Sequence, residues 1–391
     1  MIDPQKITDL LVSLVRTPSH PGIAAQEAAV VRELDAFLDA QAIERTIVEI
    51  KDGRPNFLAE VDSRRPGPHL LFCGHTDTVP PNAGSDVDFF AASEKAGVLY
   101  GRGTADMKGA LAAMAGALAR LQKSGELRAG KVTFAAVIDE EMESLGAEAL
   151  IRSGFRADAA VVGEPTANEV AIGHKGLEWL SVELEGRAAH GGTPESGVNA
   201  ISAAAEFICL VEEELVPSFE KRRDPLLGLP VINVGAIAGG DQPSTVAARC
   251  VIKLDRRWVT TESIEQVFGD LEEILEKVRK SRPGLKTRVS RLPGGMATMI
   301  HGPLTIDPQH PVVKAAQRAS ASAGLPSDRL TVFPAWTDGA LLSSEAKIPT
   351  IVWGPGELRY AHSPEERIRL ADVLLAAELY TRAALFFTGS E

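Results

Sequence analysis

The sequence predicts an α/β domain with a mixed central sheet, interrupted by a smaller inserted α+β domain. Three observations lead there. Short apolar runs near 70–73, 131–138, 159–162 and 349–353 alternate with segments of helical periodicity, as expected of strands buried on both faces of a sheet. After Gly176 the strands alternate apolar and polar residues instead, and the segments between 177 and 289 fall in the order β-α-β-β-α-β. Beyond about residue 294 the continuous apolar strands return. The expected boundaries are therefore 1–177 with 294–391 for the larger, discontinuous domain and 178–293 for the insert. A chain of 391 residues has room for both.

Taken in order, Ile7, Leu10, Leu11, Leu14 and Val15 mark a first helix that Pro18 ends, and 24–38 is a second amphipathic helix. Residues 46–61 alternate around Gly53 and Pro55, which suggests two strands about a turn. The strand at 70–73 stops at Gly74 and presents His75, Thr76 and Asp77. Residues two apart on an extended chain share a face, so Asp77 can reach back to the His75 imidazole, fix its tautomer and raise its basicity. The 81–99 segment is irregular with a short hairpin. GRGTAD at 101–106 invites a dinucleotide-loop reading, but Asp106 stands where the third glycine belongs and would set a carboxylate against a pyrophosphate. A turn that points Asp106 into a pocket, followed by an alanine-rich helix over 107–121, is the better account. The strand at 131–138 runs into Asp139, Glu140 and Glu141, with a helix from about Leu145, and the strand at 159–163 ends at Glu164.

In the insert, strands are expected at 177–184, 231–236, 248–255 and 285–289, with helices at 199–215 and 263–278 and a loop containing His190. The 216–230 segment, with its charged run at 220–224 and paired leucines, reads as a specificity loop or a solvated connection, the latter preferred. The last part holds a helix at 311–323, a strand at 330–333, a helix at 338–345, a strand at 349–353, the loop with His362 and a final helix at 370–387.

The net charge of -12 opposes non-specific nucleic-acid binding and attraction to anionic membranes. A small anionic substrate can still be met by a local cluster of cations. Cys73, Cys209 and Cys250 are scattered and in no CxxC spacing, so neither a disulfide framework nor a cysteine zinc site is expected, and a cytoplasmic location fits. The N-terminus lacks the layout of a signal peptide, and no apolar run approaches the ~18 residues of a membrane span.

Three strands of one domain close on acids or a histidine, and carboxyl ends of strands are where α/β folds gather their chemistry. The solvated acidic loop is the bland alternative, and three such endings outweigh it. With His362 the candidates are His75, Asp106, Glu140, Glu141, Glu164 and His362. Two histidines with several carboxylates suit Zn²⁺, with Co²⁺ or Mn²⁺ as less specific alternatives. One ion would use only three or four of these groups, so two ions are expected. One carboxylate would bridge them and one would stay unligated as a general base.

The segments GHTDTVP, LYGRGTADMKG, DEEMESLGA, GEPT, GRAAHGGTPESGVNAI and GPGELRYAHSPEE follow in order over nearly the whole chain. Together they resemble the M20 family of metallopeptidases and deacylases, which includes acetylornithine deacetylase, succinyl-diaminopimelate desuccinylase, aminoacylase and the glutamate carboxypeptidases. The resemblance implies a zinc-peptidase-like larger domain, a ferredoxin-like lid and dimerisation domain for the insert, and a homodimer. It implies that His75 binds one metal and Asp77 orients it, that Asp106 bridges two metals, and that Glu140 is the general base. Glu141 is implied as a ligand, and Glu164 and His362 as ligands of the other metal. In the insert it implies that His190 stabilises a developing oxyanion from across a dimer, that Asn233 assists there, and that Arg257 grips a substrate carboxylate, with Arg256 as the adjacent alternative. Gly356, with Gly354 and Pro355, is expected to shape the pocket floor near His362, while Lys108 and His174 read as structural or surface groups.

The function this implies is hydrolysis of the amide bond of an N-acyl amino acid. A carboxypeptidase or dipeptidase of the same family, acting on small peptides, is the alternative. Glu164, where aminopeptidases of the family tend to carry Asp, favours the deacylase and carboxypeptidase side. A non-catalytic metal-dependent binding protein is the reading from another class, and the intact Glu140 opposes it, because a binding site needs no unligated base.

Overall fold

The computed structural model describes residues 3–294 and 299–389. The chain forms two compact units, Met1–Gly173 with Leu304–Glu391, and His174–Pro303.

Among the described residues the first unit is built on a nine-stranded mixed sheet. One end is an antiparallel pair, Glu44–Lys51 with Arg54–Asp62, joined by Asp52 and Gly53 at φ 50° and 76°. Two successive positive φ values are what a tight hairpin of the right twist requires. The strand Arg54–Asp62 pairs antiparallel with Lys131–Val137. From there the sheet is parallel: Lys131–Val137, His69–His75, Ala159–Val162 and Thr350–Val352 run side by side in one direction. Strands Val170–His174, Leu304–Thr305 and Leu330–Phe333 complete the far side.

The continuous apolar runs have a physical reason, because both faces are covered. Leu70, Phe72, Phe134 and Val161 pack beneath helices Pro4–Arg16, Ala28–Asp39, Gly109–Ser124, Pro311–Ser322 and Leu370–Thr388. Leu71, Cys73, Ala135 and Val162 face Leu150, Leu342 and Ile348 on the other side. The helix after GRGTAD begins at Gly109 rather than 107, since Asp106 and Met107 have non-helical backbone, with φ of -124° and -133°. No helix among the described residues is long and apolar enough to cross a membrane.

Among the described residues the second unit is built on a four-stranded antiparallel sheet in the order Val231–Gly239, Arg249–Trp258, Gly176–Glu185, Lys286–Arg291. Helices Ala200–Leu210 and Ile264–Ser281 cover one face. Leu180, Val182, Leu184, Cys250, Ile252 and Leu254 point to that face, which explains the alternating pattern. Asn199 caps the first helix by accepting from the N–H groups of Ile201 and Ser202, and Ser263 caps the second through Gln266.

The 216–230 segment is not a solvated connection. The helical path continues through a widened turn at Val211–Leu215 as far as Arg222, and Phe219 and Leu227 are buried. Arg222 binds Asp270 with both terminal nitrogens and also reaches Glu262. Arg222, one of the charges that suggested solvation, is therefore neutralised within the unit, while Glu220, Lys221 and Arg223 stay exposed.

Candidate metal centre

Every donor in the first unit follows the carboxyl end of a parallel strand or the turn before a buried helix. His75 is the last residue of its strand. Glu140 and Glu141 follow Lys131–Val137, Glu164 follows Ala159–Val162, and His362 lies beyond Thr350–Val352. Asp106 sits in the turn Thr104–Lys108. Close backbone approach brings two of these ends together: a Cβ on Gly354 would stand 2.2 Å from the Gly163 carbonyl oxygen, so only glycine lets the last strand's loop run against the Glu164 turn.

Asp106 presents one oxygen to each histidine. Its Oδ1 lies 3.0 Å from His75 Nε2 and its Oδ2 lies 3.2 Å from His362 Nε2. Glu164 Oε1 stands 3.7 Å from His75 Nε2, and Glu141 Oε1 stands 3.2 Å from His362 Nε2. The contacts thus group Glu164 with His75 and Glu141 with His362, whereas the resemblance sets Glu164 with His362. The parallel pairing explains this, because Ala159–Val162 lies directly beside His69–His75. Donor atoms of His75, Glu140 and Glu164, and likewise of His75, Asp106 and Glu141, lie within 4.8 Å of one another. His75, Asp106 and Glu164 are buried, while the His362 side chain is half exposed. Neither histidine forms an ion pair with Glu140 among the described residues.

The electrostatics show the strain of collecting these acids. Burial, reinforced by Glu164, Asp338 and Glu141, pushes the Glu140 carboxyl well above its ordinary range against the pull of His75. Burial and Asp106 do the same to Glu164. Burial also resists charge on His75, but hydrogen bonds to Asp106 and Asp77 and the field of Glu164 outweigh it and hold its pKa well above the usual value. Asp106 and Glu141 hold His362 at about 10. Buried acids this dense are costly without compensating cations. Imidazole nitrogens and carboxylate oxygens are the donor set of zinc, and of cobalt or manganese with less selectivity, so the residues fit a divalent-metal centre.

Several contributors escape sequence reasoning. The Asp77 carboxylate is fully buried and accepts the N–H groups of Glu140 and Glu141, so it holds the acid pair as well as standing near His75. Arg54 bridges Glu27 and Asp139 behind the same turn. Asp338, at the start of a short helix, is 2% exposed and lifted by burial to about 7. Arg102 and Glu366 form a buried pair beside Asp106. The only local signal for the last pair is their place inside the GRGTAD and AHSPEE segments. Lys108 is not a surface group: it is fully buried and its Nζ donates to the Thr17 carbonyl at 2.7 Å.

A protein-family model described as peptidase family M20/M25/M40 matches residues 71–385. The chain belongs to this family. The acetylornithine deacetylase of Proteus mirabilis (strain HI4320) is 30% identical over 384 residues, covering 95% of this chain and 94% of that one. A probable succinyl-diaminopimelate desuccinylase of Staphylococcus epidermidis is 28% identical, covering 90% and 91%. A tripeptidase from Staphylococcus aureus superposes with a TM-score of 0.80 at 23% identity over 99% of each chain, a likeness of fold. The protein is therefore a hydrolase of the M20 type.

The remaining residues expected from sequence lie elsewhere in this M20 chain. Gly356 is buried at φ 89° and packs against Ala105 and Ile368, behind the Asp106 turn. In the second unit His190 is exposed, and its Nδ1 accepts the Gly192 N–H at 3.1 Å. Asn233 is exposed in the strand Val231–Gly239, directly opposite Asp255. Arg256 faces the helix-covered side, 1% exposed and paired with Glu262. Arg257 points to the other face, where its Nε and Nη2 bind the two oxygens of Asp255 at 2.8 and 3.0 Å. His174 is fully buried, and its Nδ1 lies 2.9 Å from the Lys175 carbonyl.

Proposed function

We propose that this protein hydrolyses the amide bond of an N-acyl amino acid, with Glu140 as general base beside a two-cation centre. The observation that supports this most is the placement of Asp106, one oxygen toward each histidine, with Glu140 alongside and paired with neither. The deacetylase and desuccinylase among the relatives support the N-acyl substrate class.

His75, Asp106 and Glu164 would hold one cation and Asp106, Glu141 and His362 the other, zinc in first place. The chemistry such cations supply is polarisation of the amide carbonyl and acidification of water. Glu140 takes the proton of the attacking water and delivers it to the departing amine nitrogen. Asp77 fixes the Glu140–Glu141 backbone and His75, so the base and the donors keep one geometry. His190 donates to the carbonyl oxygen as negative charge builds on it, with Asn233 assisting. Arg257 binds the substrate carboxylate, exchanging it for the Asp255 fork it now holds. A homodimer assembled through the second unit, with His190 donated across it, and a cytoplasmic location complete the reading.

The test is hydrolysis of N-acetyl and N-succinyl amino acids beside dipeptides, using chelator-stripped protein reloaded with Zn²⁺, Co²⁺ or Mn²⁺. Metal-restored release of the amino acid from substrates without a free amine is expected, and it names the acyl group. Activity confined to free-amine dipeptides would move the protein to the dipeptidase side. No hydrolysis with metal bound would contradict the proposal.

A further inference from the structure

Three chain segments meet behind the donor cluster, and one buried cation ties them. Arg102 is 1% exposed and lies over the Phe89 ring at 5.2 Å. Its Nη1 binds Glu366 Oε2 at 2.5 Å. Glu366 is itself 2% exposed, and its other oxygen accepts the backbone N–H groups of Ala105 at 3.1 Å and Asp106 at 3.2 Å. From the second terminal nitrogen, Arg102 donates to Asn82 Oδ1 at 2.8 Å and to the Pro80 carbonyl at 3.4 Å. Asn82 Nδ2 then donates to the His362 carbonyl at 3.0 Å. One arm of the guanidinium thus leads to the Asp106 backbone and the other to the His362 backbone. The two side chains face each other across the site at 3.2 Å, which closes a ring.

Each end of the ring needs holding. His362 has φ 60°, a left-handed conformation that costs a non-glycine residue on the order of 1–2 kcal/mol. Its side chain is 51% exposed, so packing alone does not fix it. Asp106 has extended backbone inside a buried turn, where an unmatched N–H would be costly. Glu366 and Asn82 meet these two needs, and Arg102 orients both acceptors at once.

We propose that Arg102, Glu366 and Asn82 are positioning residues that set the Asp106–His362 separation and thereby the cation affinity of the His362 side of the centre. This rests on the two-cation reading above. A purely structural ion pair would change thermal stability and leave the metal affinity of the folded protein alone. Groups that orient ligands from behind typically control metal affinity by 10–100-fold. Replacing Arg102 or Glu366 strands a buried charge and endangers folding. Asn82 is uncharged and only half-buried, so Asn82→Ala cuts the arm to His362 without that penalty.

The experiment is titration of chelator-stripped, full-length protein with Co²⁺, read by calorimetry and visible absorption, for the parent, Asn82→Ala and His362→Ala. The last variant identifies which equivalent belongs to the His362 side. The parent is expected to bind two equivalents. Asn82→Ala is expected to keep the affinity of one and to weaken the equivalent sensitive to His362 by at least ~10-fold, with a thermal midpoint close to the parent's. Parent-like affinity for both equivalents, or equal weakening of both, would overturn the positioning role alone. A parent that binds fewer than two equivalents would overturn the two-cation reading and this inference with it.

Discussion

His75 and Asp77 meet through the main chain: His75 Nδ1 lies 3.0 Å from the Asp77 carbonyl oxygen, while the nearer carboxylate oxygen is 3.5 Å away. A carbonyl only accepts, so Nδ1 donates to Asp77, and Nε2 is the ring nitrogen turned toward Asp106 and Glu164. The Asp77 carboxylate is left to accept the N–H groups of Glu140 and Glu141. One residue thereby sets the histidine's tautomer and anchors the base.

Asp77→Asn removes one of the two anionic acceptors and leaves the carbonyl in place. It should lower metal affinity or kcat by roughly 10–100-fold, and Asp77→Ala should lower both further. Metal titration and steady-state rates check this. Parent-like values for Asp77→Ala would show that the acid turn holds itself.

Arg54 is the sole cation contacting both Glu27 and Asp139 among the described ion pairs, and the side chains of those acids are 0% and 5% exposed. Removing one partner of a buried pair typically costs about 3–5 kcal/mol, because the other charge stays uncompensated. Arg54→Ala should lose that much in urea unfolding. Asp139 has φ 72° immediately before Glu140, so the same variant should also slow turnover. A loss below about 1 kcal/mol would mean that the acids are accommodated without the arginine.

The second unit should be acid-labile. Burial pushes His174 down to about 4, helped by Arg257 and opposed by the Lys175 carbonyl. Burial and Arg291 push His301 to about 4 as well. Both folded values lie below the ~6.5 of an unfolded histidine, so below that pH the unfolded chain binds more protons. Stability falls as pH drops through ~6.5 and the loss is complete near 4, at up to about 3 kcal/mol per histidine. Urea unfolding of the full chain at pH 7 and at pH 5 should show this decline. Replacing both histidines with glutamine should flatten it, and an unchanged slope would contradict the assignment.

The donor set was legible because each member follows an apolar strand or a glycine turn, so local pattern and position coincide. The strand Leu330–Phe333 and the helix that begins after Ser263 were legible for the same local reason. What pattern could not show is pairing across the chain. Glu164 stands with His75 because their strands are neighbours in the sheet, a fact of topology. Arg102 and Glu366 are 264 residues apart, and Arg54 and Asp139 are 85 apart, so no spacing rule links them. The 216–230 segment misled because the Arg222 charge looks solvated until Asp270 and Glu262 are brought to it by folding.

The most direct test of the central claim is the rate of N-acyl amino acid hydrolysis by Glu140→Ala and by the parent at equal, measured metal content. Glu140→Ala should bind the same two equivalents and lose at least ~10²-fold in kcat, the range for general acid–base catalysis. A folded, metal-replete Glu140→Ala protein that hydrolyses the substrate at the parent's rate would remove Glu140 from the base role and contradict the mechanism.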